Sequence, residues 1–136
     1  VKKHFNMIGI FALLFSNHAN SSECIIADKF QGYSAKVWNA LKFDTDGMTS
    51  TQYVIYINGD KSNVVGSNME KFFQTSENSI LSISEDQGRS VVETWSVFQG
   101  EKKVVYTKTT NGYGPFDGVN VFVGKVVGDC KPETAR

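Results

Sequence analysis

The chain has 136 residues, 40% of them hydrophobic, and its 14 Lys and Arg balance 14 Asp and Glu. That length suits one ordinary domain. Beyond Lys2–Lys3 at the very start, the one adjacent basic pair is Lys102–Lys103, so no basic stripe is offered to nucleic acid and that partner class is excluded.

The first element is VKKHFNMIGIFALLFSNHANSS. Lys2 and Lys3 form a positive head, Met7–Phe15 a short apolar run, and small polar residues an exit, which are the three parts of a secretory signal peptide. The apolar run falls well short of the ~20 residues that a permanent membrane helix needs. Ala19 and Ser21 give the small-x-small pattern for a cut after Ser21. Residues 1–21 are therefore expected to be a cleaved signal peptide and 22–136 a single β domain. Val1 reads as an alternative start codon, pointing to a bacterial source. Glu23 directly before Cys24 is a poor fit to lipid modification, so no stable membrane anchor is expected. Loss of Lys2 and Lys3 with the leader leaves a slight acidic excess.

Cys24 and Cys130 stand near opposite ends of the remaining chain. An even cysteine count in an exported protein reads as a disulfide, and with two cysteines the pairing is unambiguous. The expected location is secreted or periplasmic. There is no C-x-x-C, and both histidines, His4 and His18, lie in the leader, so no metal, redox or other cofactor is expected.

FQGYSAKVWNALKF (30–43) reads as strand running into a turn at DTDG (44–47). TQYVIYI (51–57) alternates β-branched and aromatic residues and stops at NGD (58–60), a hairpin-type signal. VVGS (64–67) is too short to classify. SNMEKFF (67–73) has two readings. Ser67 and Glu70 match a capping box, with Met69, Phe72 and Phe73 on one helical face. Alternatively FFQTSENSILSI forms two strands joined at Ser76–Asn78, which keeps a meander continuous. ILSISED (80–86), SVVETWSVF (90–98), KVVYTKTT (103–110) and VNVFVGKVV (119–127) complete the strands, with turns at DQGR and QGEK.

Turn signals at short, regular intervals without long helical patterns indicate an all-β chain. If the cysteines pair, the first and last strands lie close together. The expected fold is a small antiparallel β-barrel or β-sandwich of meander type, the barrel being favoured because it removes exposed edges.

The chemistry is sparse. DTDG resembles the start of a calcium loop, but Ile55 stands where a twelfth-position glutamate is required, so a plain turn is expected. A nucleophilic triad lacks its histidine once the leader is removed, and G-x-S-x-G is absent. Glu70, Glu77, Glu85, Asp86, Glu93 and Asp117 leave room for a carboxylate-dependent hydrolase. Glu93 lies mid-strand between Val92 and Thr94 and is expected on the solvent face, the alternative being an acid perturbed by pointing into the barrel. NGYGPFDG (111–118) sets Tyr113, Phe116 and Asp117 on a Gly-rich loop, the candidate binding surface. Trp38, Trp95, Tyr53, Tyr56 and Tyr106 are expected to fill the interior, or else to line the cavity of a carrier. The expected function is binding, as an interaction module or an inhibitor of an extracellular enzyme, with a protein, glycan or small molecule as partner. The alternatives are the hydrolase and a carrier of a small hydrophobic ligand.

Overall fold

The computed structural model describes residues 22–48 and 51–131; the predicted leader lies outside them. The strands are β1 (Glu23–Lys36), β2 (Phe43–Gly47), β3 (Tyr53–Ile57), β4 (Asn63–Val65) and β5 (Phe73–Ser76), then β6 (Ser79–Asp86), β7 (Arg89–Phe98), β8 (Lys103–Asn111) and β9 (Gly118–Asp129). They form one antiparallel sheet in the order β4-β3-β1-β9-β8-β7-β6-β5. β1 is long enough to pair with β3 through Glu23–Ala27 and with β2 through Gln31–Ala35.

The sheet curls into a half-barrel rather than a closed barrel, and it is one sheet rather than two packed ones. Closure would need β4 to pair with β5. β4 is only three residues long, and Gly66, at φ 102°, turns the chain out of the strand. Residues 66–72 cross the gap instead. Phe72 there is fully buried, and the Gly59 N–H donates to Gln74 Oε1 at 2.7 Å across the same gap.

Three local expectations meet different outcomes. DTDG is part of β2 and not a turn, because the chain reverses earlier, through a 3-10 turn at Val37–Asn39 followed by Ala40 and Leu41 at φ 52° and 57°. Neither residue type announces a left-handed backbone. Residues 67–72 form no helix and residues 73–86 make the two strands of the alternative reading, joined at Glu77–Asn78. The Ser67 hydroxyl does accept the Met69 N–H (3.1 Å), but it also reaches across the sheet, as described below. The DQGR turn forms as read: Gln87 and Gly88, at φ 50° and 77°, make the two-residue link that suits the twist of a β-hairpin.

The core lies on the concave face, where Phe30, Ile55, Phe72, Ile80, Trp95 and Val104 are fully enclosed. A bulge between Asp28 and Gln31, with Lys29 at φ 55°, accompanies the inward placement of Phe30. Gly124 makes space for that ring, since a Cβ there would stand 2.5 Å from it.

Cys24 and Cys130 form a disulfide with Cα atoms 5.0 Å apart. The Cys130 N–H donates to the Cys24 carbonyl at 2.9 Å, and β1 and β9 run side by side, as the cysteine spacing predicts. The chain-entropy account assigns about 4–5 kcal/mol to a loop of this size. Cys24 is buried, and a buried disulfide belongs to an oxidising compartment. No helix among the described residues is long and apolar enough to cross a membrane.

Candidate functional site

Residues directly opposite one another in an antiparallel sheet share a face, so the pairing register sorts the concave side into rows. One row runs Ile80, Trp95, Tyr106, Phe122, Gly32. Its rings interlock: the Trp95 and Tyr106 centroids are 4.5 Å apart, and Phe30 and Tyr53 meet Trp95 at 5.5 and 5.1 Å. The next row, one step further from the disulfide, is Ser82, Glu93, Lys108, Asn120, Ser34. The half-barrel thus changes from aromatic to polar in one step, and a cavity of about 270 Å³ opens there between residues 66–68 and the sheet.

Glu93 is the centre of that row and is only 2% exposed, which overturns its expected place on the solvent face. It shares strand parity with Trp95 and Val97, both buried, whereas Val92, Thr94 and Ser96 point outward. The large apolar residues at i+2 and i+4 are the signal that places it inside. Glu93 Oε1 accepts from Ser67 Oγ at 2.7 Å and from Trp95 Nε1 at 2.8 Å. Oε2 is held more loosely, by the Tyr106 hydroxyl at 3.4 Å, and faces Lys108 Nζ at 4.0 Å. Above this row Lys36 Nζ donates to Asn120 Oδ1 at 2.6 Å, and Asn120 Nδ2 donates to Asp46 Oδ2 at 3.4 Å.

Burial, reinforced by the Glu93 charge and its hydrogen bond, pushes the Tyr106 hydroxyl far above the usual tyrosine range. Burial and the same carboxylate also raise Tyr53. Burial lowers the Lys36 ammonium, with Asp46 opposing and Lys108 adding to the shift.

Beyond the Lys36–Gly118 pair, two 3-10 turns meet at the rim: Val37–Asn39 and Gly114–Phe116. The Val37 N–H donates to the Asp117 carbonyl at 2.9 Å and fastens them. Large apolar side chains stand in solvent here, with Trp38 65%, Phe43 65% and Phe116 72% exposed, and Leu41 exposed beside them in the chain. Tyr113 is held under the Arg89 guanidinium, 5.3 Å from the ring centre.

Of the loop residues singled out in the sequence, Tyr113 and Phe116 sit at this lip. The Asp117 carboxylate turns onto its own loop, accepting the Gly112 and Tyr113 N–H groups at 2.9 and 2.8 Å, so it shapes the loop. The sequence reading misses Trp38, Phe43 and Leu41 as lip residues, although an apolar cluster around a chain reversal is a visible signal. Trp95 and Tyr106 fill the interior as expected. Trp38 does not, and Tyr56, out of phase with buried Ile55 and Ile57, faces the convex side. Glu70, Glu77, Glu85 and Asp86 are exposed, and Glu93 is the one fully buried carboxylate among the described residues. No group of three or more His, Cys, Asp or Glu that could hold a metal ion occurs among the described residues. No family model matches the chain, and neither a curated protein nor a solved structure is significantly similar to it.

Proposed function

We propose that the chain is an exported binding domain, secreted or periplasmic, that captures a protein partner through the aromatic lip. The observation that carries this reading is the joint exposure of Trp38, Phe43 and Phe116 on two turns fastened to each other by backbone hydrogen bonding. Tryptophan and other aromatics dominate binding hot spots because they bury much area at little rotamer cost. A fastened loop loses less freedom on binding than a loose one. The leader-like start and the disulfide support the compartment.

Hydrolysis by a carboxylate pair has weaker support, since a second carboxyl about 5–10 Å away is required and, among the described residues, Glu93 is the one Asp or Glu lining the cavity. The carrier of a hydrophobic ligand is also weaker, because polar groups of Glu93, Lys108, Asn120 and Ser67 line the cavity.

The test is capture of extracellular proteins by the oxidised domain from Ser22 onward, compared with Trp38→Ser and with the Tyr113→Ser/Phe116→Ser double variant. Each should reduce capture by about tenfold or more while leaving the melting temperature nearly unchanged. Equal capture by all three proteins would take the capture surface away from the lip, and unfolding of the variants would make the lip structural; either ends this reading.

A further inference from the structure

We propose that the Glu93 cavity is a sugar site, taking one uncharged, hydroxyl-rich ring, either a free monosaccharide or the end unit of a glycan. This goes beyond protein capture at the lip and does not depend on it.

The first argument is the unfinished polar network. Glu93 Oε1 is satisfied by Ser67 and Trp95, but Oε2 has one long hydrogen bond and an ammonium group 4.0 Å away, too far to donate. The carboxylate and ammonium share the cavity wall without closing on each other. With Lys108 half-buried at the cavity wall and 4.0 Å from the carboxylate, the pair contributes little to stability. The Tyr53 hydroxyl and the Lys108 ammonium line the same space, are only half-buried and have no hydrogen-bond partner in the protein among the described residues, so water that a ligand can displace meets them there. These groups can be satisfied by something that enters.

The second argument is charge. An anion entering the cavity meets Glu93, and a cation meets Lys108 with Lys36 behind Asn120. A hydroxyl group donates and accepts at once, so it can give its proton to Glu93 Oε2 and accept from Lys108 Nζ. Vicinal hydroxyls on a ring present that pattern repeatedly. The third argument is shape. About 270 Å³ lies just below the ~300 Å³ at which most ligand pockets begin, room for one ring rather than several. The row beneath is aromatic but closed, with Trp95, Tyr106 and Phe122 buried, and the half-buried Tyr53 ring that flanks it is the apolar surface offered to the C–H face of a sugar.

The experiment titrates the oxidised exported protein with glucose, galactose, mannose and N-acetylglucosamine, following the Trp95 indole N–H resonance by NMR. Choline chloride and sodium phosphate serve as charged probes. At least one sugar should shift that signal saturably, and Lys108→Met and Asn120→Ala should each weaken its binding by about tenfold. Both substitutions fall on half-buried positions, and melting curves check that each variant folds, so the test stands even if Glu93→Gln unfolds. The Tyr113→Ser/Phe116→Ser variant should bind the monosaccharide unchanged. Binding of cellotetraose or chitotetraose at least as tight as that of the single sugar identifies a glycan end; much weaker binding identifies the free monosaccharide. The proposal is overturned if no sugar shifts the signal, if Lys108→Met and Asn120→Ala both bind normally, if the lip variant abolishes monosaccharide binding, or if choline or phosphate saturates the site instead.

Discussion

Glu93 ties three elements together through one side chain: Ser67 from the gap-crossing loop, Trp95 from its own strand and Tyr106 from β8. Its removal leaves those donors without their acceptor and the Lys108 ammonium without its counter-charge. Glu93→Ala should therefore lower stability by about 3 kcal/mol and Glu93→Gln by about 1 kcal/mol, measured by urea denaturation. Tyr106 makes a separate prediction about pH. The folded state holds its proton far above the ordinary value of 10.0, because burial and the Glu93 charge oppose ionisation. Its contribution is intact below pH 10 and falls as pH rises past 10, where the unfolded chain ionises first. Lys36 works the other way: its lowered value makes the charged form a small cost at neutral pH, relieved as pH approaches 10.5. Tyr106→Phe should flatten the alkaline loss in a series of melting curves, and an unchanged loss would assign it to other groups.

At the level of strands, packing around Phe30 is the most exacting feature. Gly124→Ala places a methyl group 2.5 Å from that ring and should cost about 1–3 kcal/mol, with part of the loss recovered by adding Phe30→Leu. Thermal melts of the single and double variants check it. The hairpins β6–β7–β8 were legible from local chemistry, because Asp86-Gln87-Gly88-Arg89 carries its own turn and the flanking residues alternate. Which face turns inward was far less legible. On β9 the regular Val119, Val121, Val123 series lies on the convex side, while Asn120, Phe122 and Gly124 face the interior. On β6 it is Ser82 that is buried and Ile83 that is exposed. Hydrophobic alternation reports the strand period, but when the convex face is also rich in valine it does not report the direction. The same ambiguity concealed Glu93. The half-barrel was hidden for another reason, since closure depends on the length of β4 and the path of residues 66–72, neither of which is written in a periodic pattern.

For the whole molecule, the disulfide acts where β1 and β9 already pair, so it holds together the strands that are farthest apart in sequence. Loss of either cysteine should lower stability by about 2–5 kcal/mol, read from denaturation of Cys24→Ser or Cys130→Ser beside the oxidised protein. Equal midpoints would show that the strand pairing suffices. The bridge also has a directional effect. It clamps the start of β1 and the end of β9 at one pole, while the lip stands at the other, beyond Lys36 and Gly118. Fourteen residues of strand at about 3.3 Å each place the poles up to about 45 Å apart. A molecule tethered to a surface through either end would therefore stand upright, holding its aromatic tip and the Glu93 opening away from the support.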